Sequence, residues 1–166
     1  MAATRTGQTA PPWALFVLFP LVFFGISLLS AKLMGVYELY RAFPADKTDP
    51  IEINLGWVQI EFGAWRGHTP MSVKAGRRCL HLKQPFPFQP LVWLGPAAIP
   101  WAQIQVLQPA GEGWRSFWKA AEFALGPADR RIRLRGGAAR KLQTLVAVRQ
   151  GRVEAWPTPG PAIRPT

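Results

Sequence analysis

One cysteine, two histidines and nine acidic residues are all that 166 residues supply of the groups from which most catalytic and metal centres are built. A lone Cys79 excludes an internal disulfide framework and fits a reducing compartment. His68, Cys79 and His81 could in principle donate three metal ligands, but their irregular spacing matches no zinc signature. Cys79 and His81 stand two apart on a predicted strand and share a face, close enough to pair as in a small enzyme's nucleophile and base. No orienting group or pocket is readable beside them, and a half-buried cysteine next to a surface histidine describes the same pattern. Glu61, Glu112 and Glu122 form no readable carboxylate pair. Gly136-Gly137 lacks the other glycines and the Lys-Ser/Thr of a phosphate-cradling loop. The sequence therefore assigns no catalytic, cofactor-binding or metal-binding residue and reads as non-enzymatic, with no cofactor.

What is present is one long apolar run. Residues 13–31, WALFVLFPLVFFGISLLSA, hold 19 residues without a charge. As a helix rising about 1.5 Å per residue they cover roughly 28 Å, close to the thickness of bilayer hydrocarbon. A secretory signal has a shorter core, and cleavage after Ala31 would put Leu29 where a small residue is wanted. A buried core helix would not be apolar all round. The run reads as a transmembrane helix, mildly kinked where Pro20 removes a donor, a vacancy that a partner helix could fill. Arg5 precedes it, whereas Lys32, Arg41 and Lys47 follow within about twenty residues, which places the C-terminal side in the cytoplasm of a single-pass inner (plasma) membrane protein.

Residues 1–12 have no pattern that could bury anything and read as a disordered tail. Residues 32–43 keep helical spacing, so the helix is expected to run on past the membrane with Tyr37 and Tyr40 among the headgroups. Residues 44–50, PADKTDP, read as a polar connector completing a 13–50 unit. The rest is long enough for one compact domain, and eight Trp and 17 Pro favour strands and turns over a helical bundle. Alternation marks an amphipathic strand from residue 51 towards 65. Turn chemistry follows at 66–70, with strands over 71–74 and 78–83, where Leu80 and Leu82 oppose Cys79 and His81. QPFPFQP at 84–90 reads as a loop, because each proline removes a ladder donor. Short strands are expected at 91–94, 99–101, 104–107, 117–125 and 130–135, then a helix over 138–149 that caps the sheet. The Pro-rich 151–166 lies outside the core. Ile99-Pro100-Trp101 reads as a structural corner, the proline bending an edge strand while Ile99 and Trp101 anchor in the core.

An α+β architecture follows: an N-terminal transmembrane helix, then a basic domain over 51–150 with about seven antiparallel strands and one C-terminal amphipathic helix. That order of elements is the order of a pleckstrin-homology-like barrel. The chain also resembles a family of small uncharacterised bacterial membrane proteins, in which an N-terminal span precedes a Gly-aromatic-x-x-Leu stretch and a β domain bearing Ile-Pro-Trp. The residues that carry the resemblance are Gly35, Tyr37 and Leu39, Phe43-Pro44, Trp65, Met71, Leu80-His81-Leu82, and Ala98-Ile99-Pro100-Trp101 with Ile104. It implies a pleckstrin-homology-like fold and no catalytic residues.

Charge is the remaining signal. From residue 51 onward sixteen Lys and Arg stand against six Asp and Glu, a formal +10. Arg131, Arg133 and Arg135 alternate with Ile132 and Leu134 and so share a face, with Arg140 and Lys141 at the start of the next helix and Arg77 and Arg78 at a hairpin turn. Near an anionic leaflet each such side chain contributes roughly 1 kcal/mol, whereas no nucleic-acid-binding pattern appears. The expected function is a membrane-anchored, non-enzymatic module whose basic cytoplasmic domain contacts anionic lipid headgroups or a membrane-associated protein through these residues. Two alternatives are an accessory subunit of a larger integral membrane complex, packed through the 13–31 helix, and a small membrane enzyme using Cys79 and His81. No small-molecule substrate is indicated.

Overall fold

A computed structural model of the chain describes residues 12–62, 67–85, 95–113, 118–126 and 130–151. Helix α1 (Pro12–Leu33) contains Pro20 and leaves large apolar side chains such as Phe16, Phe19 and Leu29 exposed. Its 22 residues span about 33 Å. One helix near the N-terminus is thus long and apolar enough to cross a membrane.

The helix does not run on as the spacing of residues 32–43 suggests. Gly35 adopts φ 74°, a left-handed conformation that glycine enters without steric cost, and a separate short helix α2 (Val36–Ala42) begins behind it. Val36, Leu39 and Tyr40 of α2, together with Phe43, are buried in the same core as the sheet. Tyr40 is therefore inside the domain, not among headgroups, and its hydroxyl accepts the Gln84 N–H at 2.8 Å. Burial raises its pKa to about 12, against the lowering effect of that bond. Between the ordinary tyrosine pKa of about 10 and this value the unfolded chain binds fewer protons, so stability should fall there by about 3 kcal/mol. Tyr40→Phe should remove that alkaline loss, as read from urea midpoints on either side of the window.

Among the described residues seven strands follow: β1 (Ile51–Phe62), β2 (Gly67–Gly76), β3 (Cys79–Lys83), β4 (Ala97–Pro100), β5 (Ile104–Gln108), β6 (Ala121–Leu125) and β7 (Arg130–Leu134). They form one antiparallel sheet in the order β4-β3-β2-β1-β7-β6-β5. The terminal strands β4 and β5 are consecutive, joined by a single 3-10 turn at Trp101–Gln103, so the sheet curls until its two edges meet at that corner. Alternation directs Ile60, Met71, Val73, Leu80, Leu82, Phe123, Ile132 and Leu134 inward, all essentially inaccessible. The last helix, α3 (Gly136–Arg149), buries Ala139, Leu142, Leu145 and Val146 against this core. Its end ties down the corner, because the Gln150 side-chain amide donates to the carbonyls of Trp101 (2.8 Å) and Ile104 (2.7 Å).

Some boundaries differ from the sequence reading for local reasons. Gly67–Pro70, read as part of a turn, belongs to β2. There β3 has already ended, since Lys83 pairs with Ser72, so Pro70 sits where β2 has an open edge and tolerates a missing donor. α3 begins at Gly136, two residues before the 138 expected from the helical spacing. β1 carries two irregularities, the second beside Gly56 at φ 79°, where the Gly56 N–H bonds Asn54 Oδ1 at 2.9 Å. The strand expected at 91–94 and the tails 1–11 and 152–166 lie outside the described residues.

Candidate functional site

The residues singled out by sequence fall in three places. Ile99 is buried on β4, Pro100 closes that strand, and Trp101 opens the 3-10 turn with its ring inward, its Nε1–H donating to the Gly76 carbonyl at 3.1 Å. The corner is a packed, hydrogen-bonded joint.

The arginine strip has a different character from the one its alternation implies. Arg131, Arg133 and Arg135 do oppose Ile132 and Leu134, but β7 is a central strand, and its neighbours bring Glu61 of β1 and Glu122 of β6 onto the same face. Arg133 Nε lies 2.9 Å and Arg131 Nη1 3.4 Å from Glu122, and Arg135 Nη2 lies 3.0 Å from Glu61. Both carboxylates are nearly buried beneath the guanidinium groups. Among the described residues two carboxylates thus meet three guanidinium groups, and the strip is largely neutralised across the sheet. Arg140 and Lys141 stand exposed on α3, and Arg77 is exposed in the β2–β3 turn. Arg78 is committed to the segment before β1, with its Nη2 2.8 Å from Asp46 Oδ2 and 2.7 Å from Thr48 Oγ1.

The third place holds Cys79 and His81, and the residue that organises it is one that sequence reasoning missed. Asp49, read as part of a polar connector, has a side chain with no exposure to solvent. Its Oδ1 accepts the Arg78 N–H at 2.9 Å, and its Oδ2 accepts the Cys79 N–H at 3.0 Å and lies 2.9 Å from His81 Nε2. Burial opposes ionisation, but the His81 bond and the two amide bonds outweigh it and hold the carboxyl below its usual pKa. An ionised acceptor fixes His81 with its proton on Nε2. The histidine is thus turned to Asp49 and not to the thiol, and it is 5% exposed, not a surface residue. Cys79 lines a cleft with Phe43, Pro100, Asp46 and Arg130, and burial, aided by the Asp49 and Asp46 carboxylates, pushes its thiol pKa up. That environment disfavours the thiolate a nucleophile needs. Among the described residues no group of three His, Cys, Asp or Glu could hold a metal ion.

The connector that delivers Asp49 also walls a second cleft, of about 320 Å³, on the outer face of β2 and β3. His81 lies at its floor, Ser72 lines it, and Lys47, Lys74 and Lys83 surround it. Cross-strand pairing makes this arrangement: Lys74 faces His81 and Ser72 faces Lys83 on alternate rungs of one face, and Trp57 of β1 continues the Ser72 rung.

Compared with known proteins, the chain matches no family model, no curated protein and no solved structure.

Proposed function

We propose that the chain is a single-pass, membrane-anchored, non-enzymatic module of the bacterial inner membrane, whose pleckstrin-homology-like domain rests on the anionic cytoplasmic leaflet. The observation that carries this reading is the joint at Met34 and Gly35. Only two residues separate the apolar helix from α2, whose side chains are part of the domain core, and Ala31 is itself buried there. Phe23, Ser27 and Ser30 of α1 line one groove together with His68 and Thr69 of β2 and with Gln84, so the domain is seated against the C-terminal half of the helix. A domain tethered this closely stays near the leaflet, where exposed cationic side chains such as Arg77, Arg140 and Lys141 are drawn to anionic headgroups. The seven-strand meander closed by a C-terminal helix supports the pleckstrin-homology-like assignment and the resemblance to the single-span family. The raised Cys79 pKa speaks against the reading of Cys79 and His81 as a nucleophile and its base.

A second reading, an accessory subunit of an integral membrane complex, draws on the exposed Phe-rich face of α1 and on Pro20 within it. A reporter fused after residue 157 should be active only in the cytoplasm, because the flanking Lys and Arg lie C-terminal to the helix. An active periplasmic reporter overturns the orientation. Purification in mild detergent should give the chain without a stoichiometric membrane partner, and such a partner moves the subunit reading to first place.

A further inference from the structure

We infer that the cleft over His81 binds the phosphate headgroup of an anionic lipid, one with net negative charge, in the membrane that α1 enters. The inference rests on the membrane-anchored reading and assigns the contact to Lys47, Lys74 and Lys83, not to the arginine strip.

Charge balance separates the two surfaces. In the strip each guanidinium group meets Glu61 or Glu122. Around the cleft the two carboxylates are already satisfied. Asp49 is saturated by two amides and His81, and Asp46 by Arg78 and by the Thr48 N–H and hydroxyl. Among the described residues, none of the three lysines pairs with a carboxylate, so three exposed ammonium groups converge on one concavity. Like charges gathered in a concave site raise the local concentration of anions. Ammonium groups on flexible stems suit a phosphate as point charges, and the Ser72 hydroxyl adds a neutral donor. The floor is rigid, because Asp49 pins His81 from behind.

Two further features favour a lipid over a free anion. Trp57 is 66% exposed on the outer face, opposite Ser72 across the β1–β2 ladder, and an indole with an apolar body and a polar edge belongs at a membrane interface. Lys83 is followed directly by Gln84, which lines the groove against the last turns of α1. The cleft and the groove against α1 therefore meet along the Lys83–Gln84 step of the chain.

Lysine acetylation of the full chain in nanodiscs tests this. Discs containing anionic phospholipid should slow acetylation of Lys47, Lys74 and Lys83 several-fold relative to phosphatidylcholine discs and leave Lys119 and Lys141 unchanged. Lys74→Gln with Lys83→Gln should abolish the protection of Lys47 at an unchanged circular dichroism spectrum. Protection of Lys141 in place of the cleft lysines would keep leaflet contact and overturn this site. Uniform rates in both discs would overturn both the site and the leaflet reading. Protection by inorganic phosphate in neutral discs, without any from anionic lipid, would overturn the lipid source.

Discussion

A chain beginning at Ile51 should fail to fold, and one beginning at Val36 should unfold cooperatively. The polar, Pro-bounded character of residues 44–50 invites a domain boundary at 51, but the core extends upstream of it. Val36, Leu39, Tyr40 and Phe43 are each at most 6% exposed. At about 2–3 kcal/mol for each large buried side chain, their removal forfeits on the order of 10 kcal/mol, comparable with the whole stability of a typical domain. The shorter chain also loses Asp49, which leaves the Arg78 and Cys79 amides without their acceptor, and the Phe43 carbonyl that takes the Ala98 N–H at 3.2 Å. Thermal melts followed by circular dichroism decide the matter. A sharp melt for the chain starting at Ile51 would show that α2 is an ornament on a self-sufficient sheet.

Elements with periodic burial were legible before the structure was known. The uninterrupted apolar run of α1, the alternation of β1 and β7 and the helical spacing of Leu142, Leu145 and Val146 each repeat one physical constraint over several residues, and repetition is what a sequence displays. The joint at Gly35 and the Asp49 cradle are single events. Leu39 and Tyr40 keep the same spacing whether a helix continues into solvent or turns back onto a sheet, so nothing local distinguished the two. Asp49 finds its partners about thirty residues away, two of them backbone amides that carry no side-chain signature. The arginine alternation was legible but its neutralisation was not, because Glu61 and Glu122 come onto that face only through pairing of β7 with β1 and β6. For the same reason the lysine cleft could not be assembled from the sequence: it draws Lys47 from the connector, Lys74 from β2 and Lys83 from β3.

Gly76→Ala should destabilise the domain by about 3–5 kcal/mol, combining overpacking with the breaking of buried polar bonds. The backbone at Gly76 is not left-handed, so conformation alone would allow alanine there. Space does not. An added Cβ would stand 2.1 Å from Asp49 Oδ2 and 2.8 Å from both Asp49 Cγ and His81 Nε2. The carboxylate cannot swing aside cheaply, because the Arg78 and Cys79 amides and His81 hold it in place. Asp49→Ala should cost a similar amount, since it strands those donors in the interior. The two changes act on one contact, so the double variant should be destabilised by clearly less than their sum, with a coupling above about 1 kcal/mol. Additive urea midpoints would mean that the Asp49 cradle and Gly76 are independent. Acid gives a second readout. Asp49 has a folded-state pKa below its usual value, so its stabilisation is present above about pH 4 and is lost as pH falls through that lowered pKa. Asp49→Asn cannot ionise, and its stability should lie below wild type at neutral pH and converge towards it in acid. A constant gap between the two across that range would show that the carboxylate is not the charged hub that orders Arg78, Cys79 and His81.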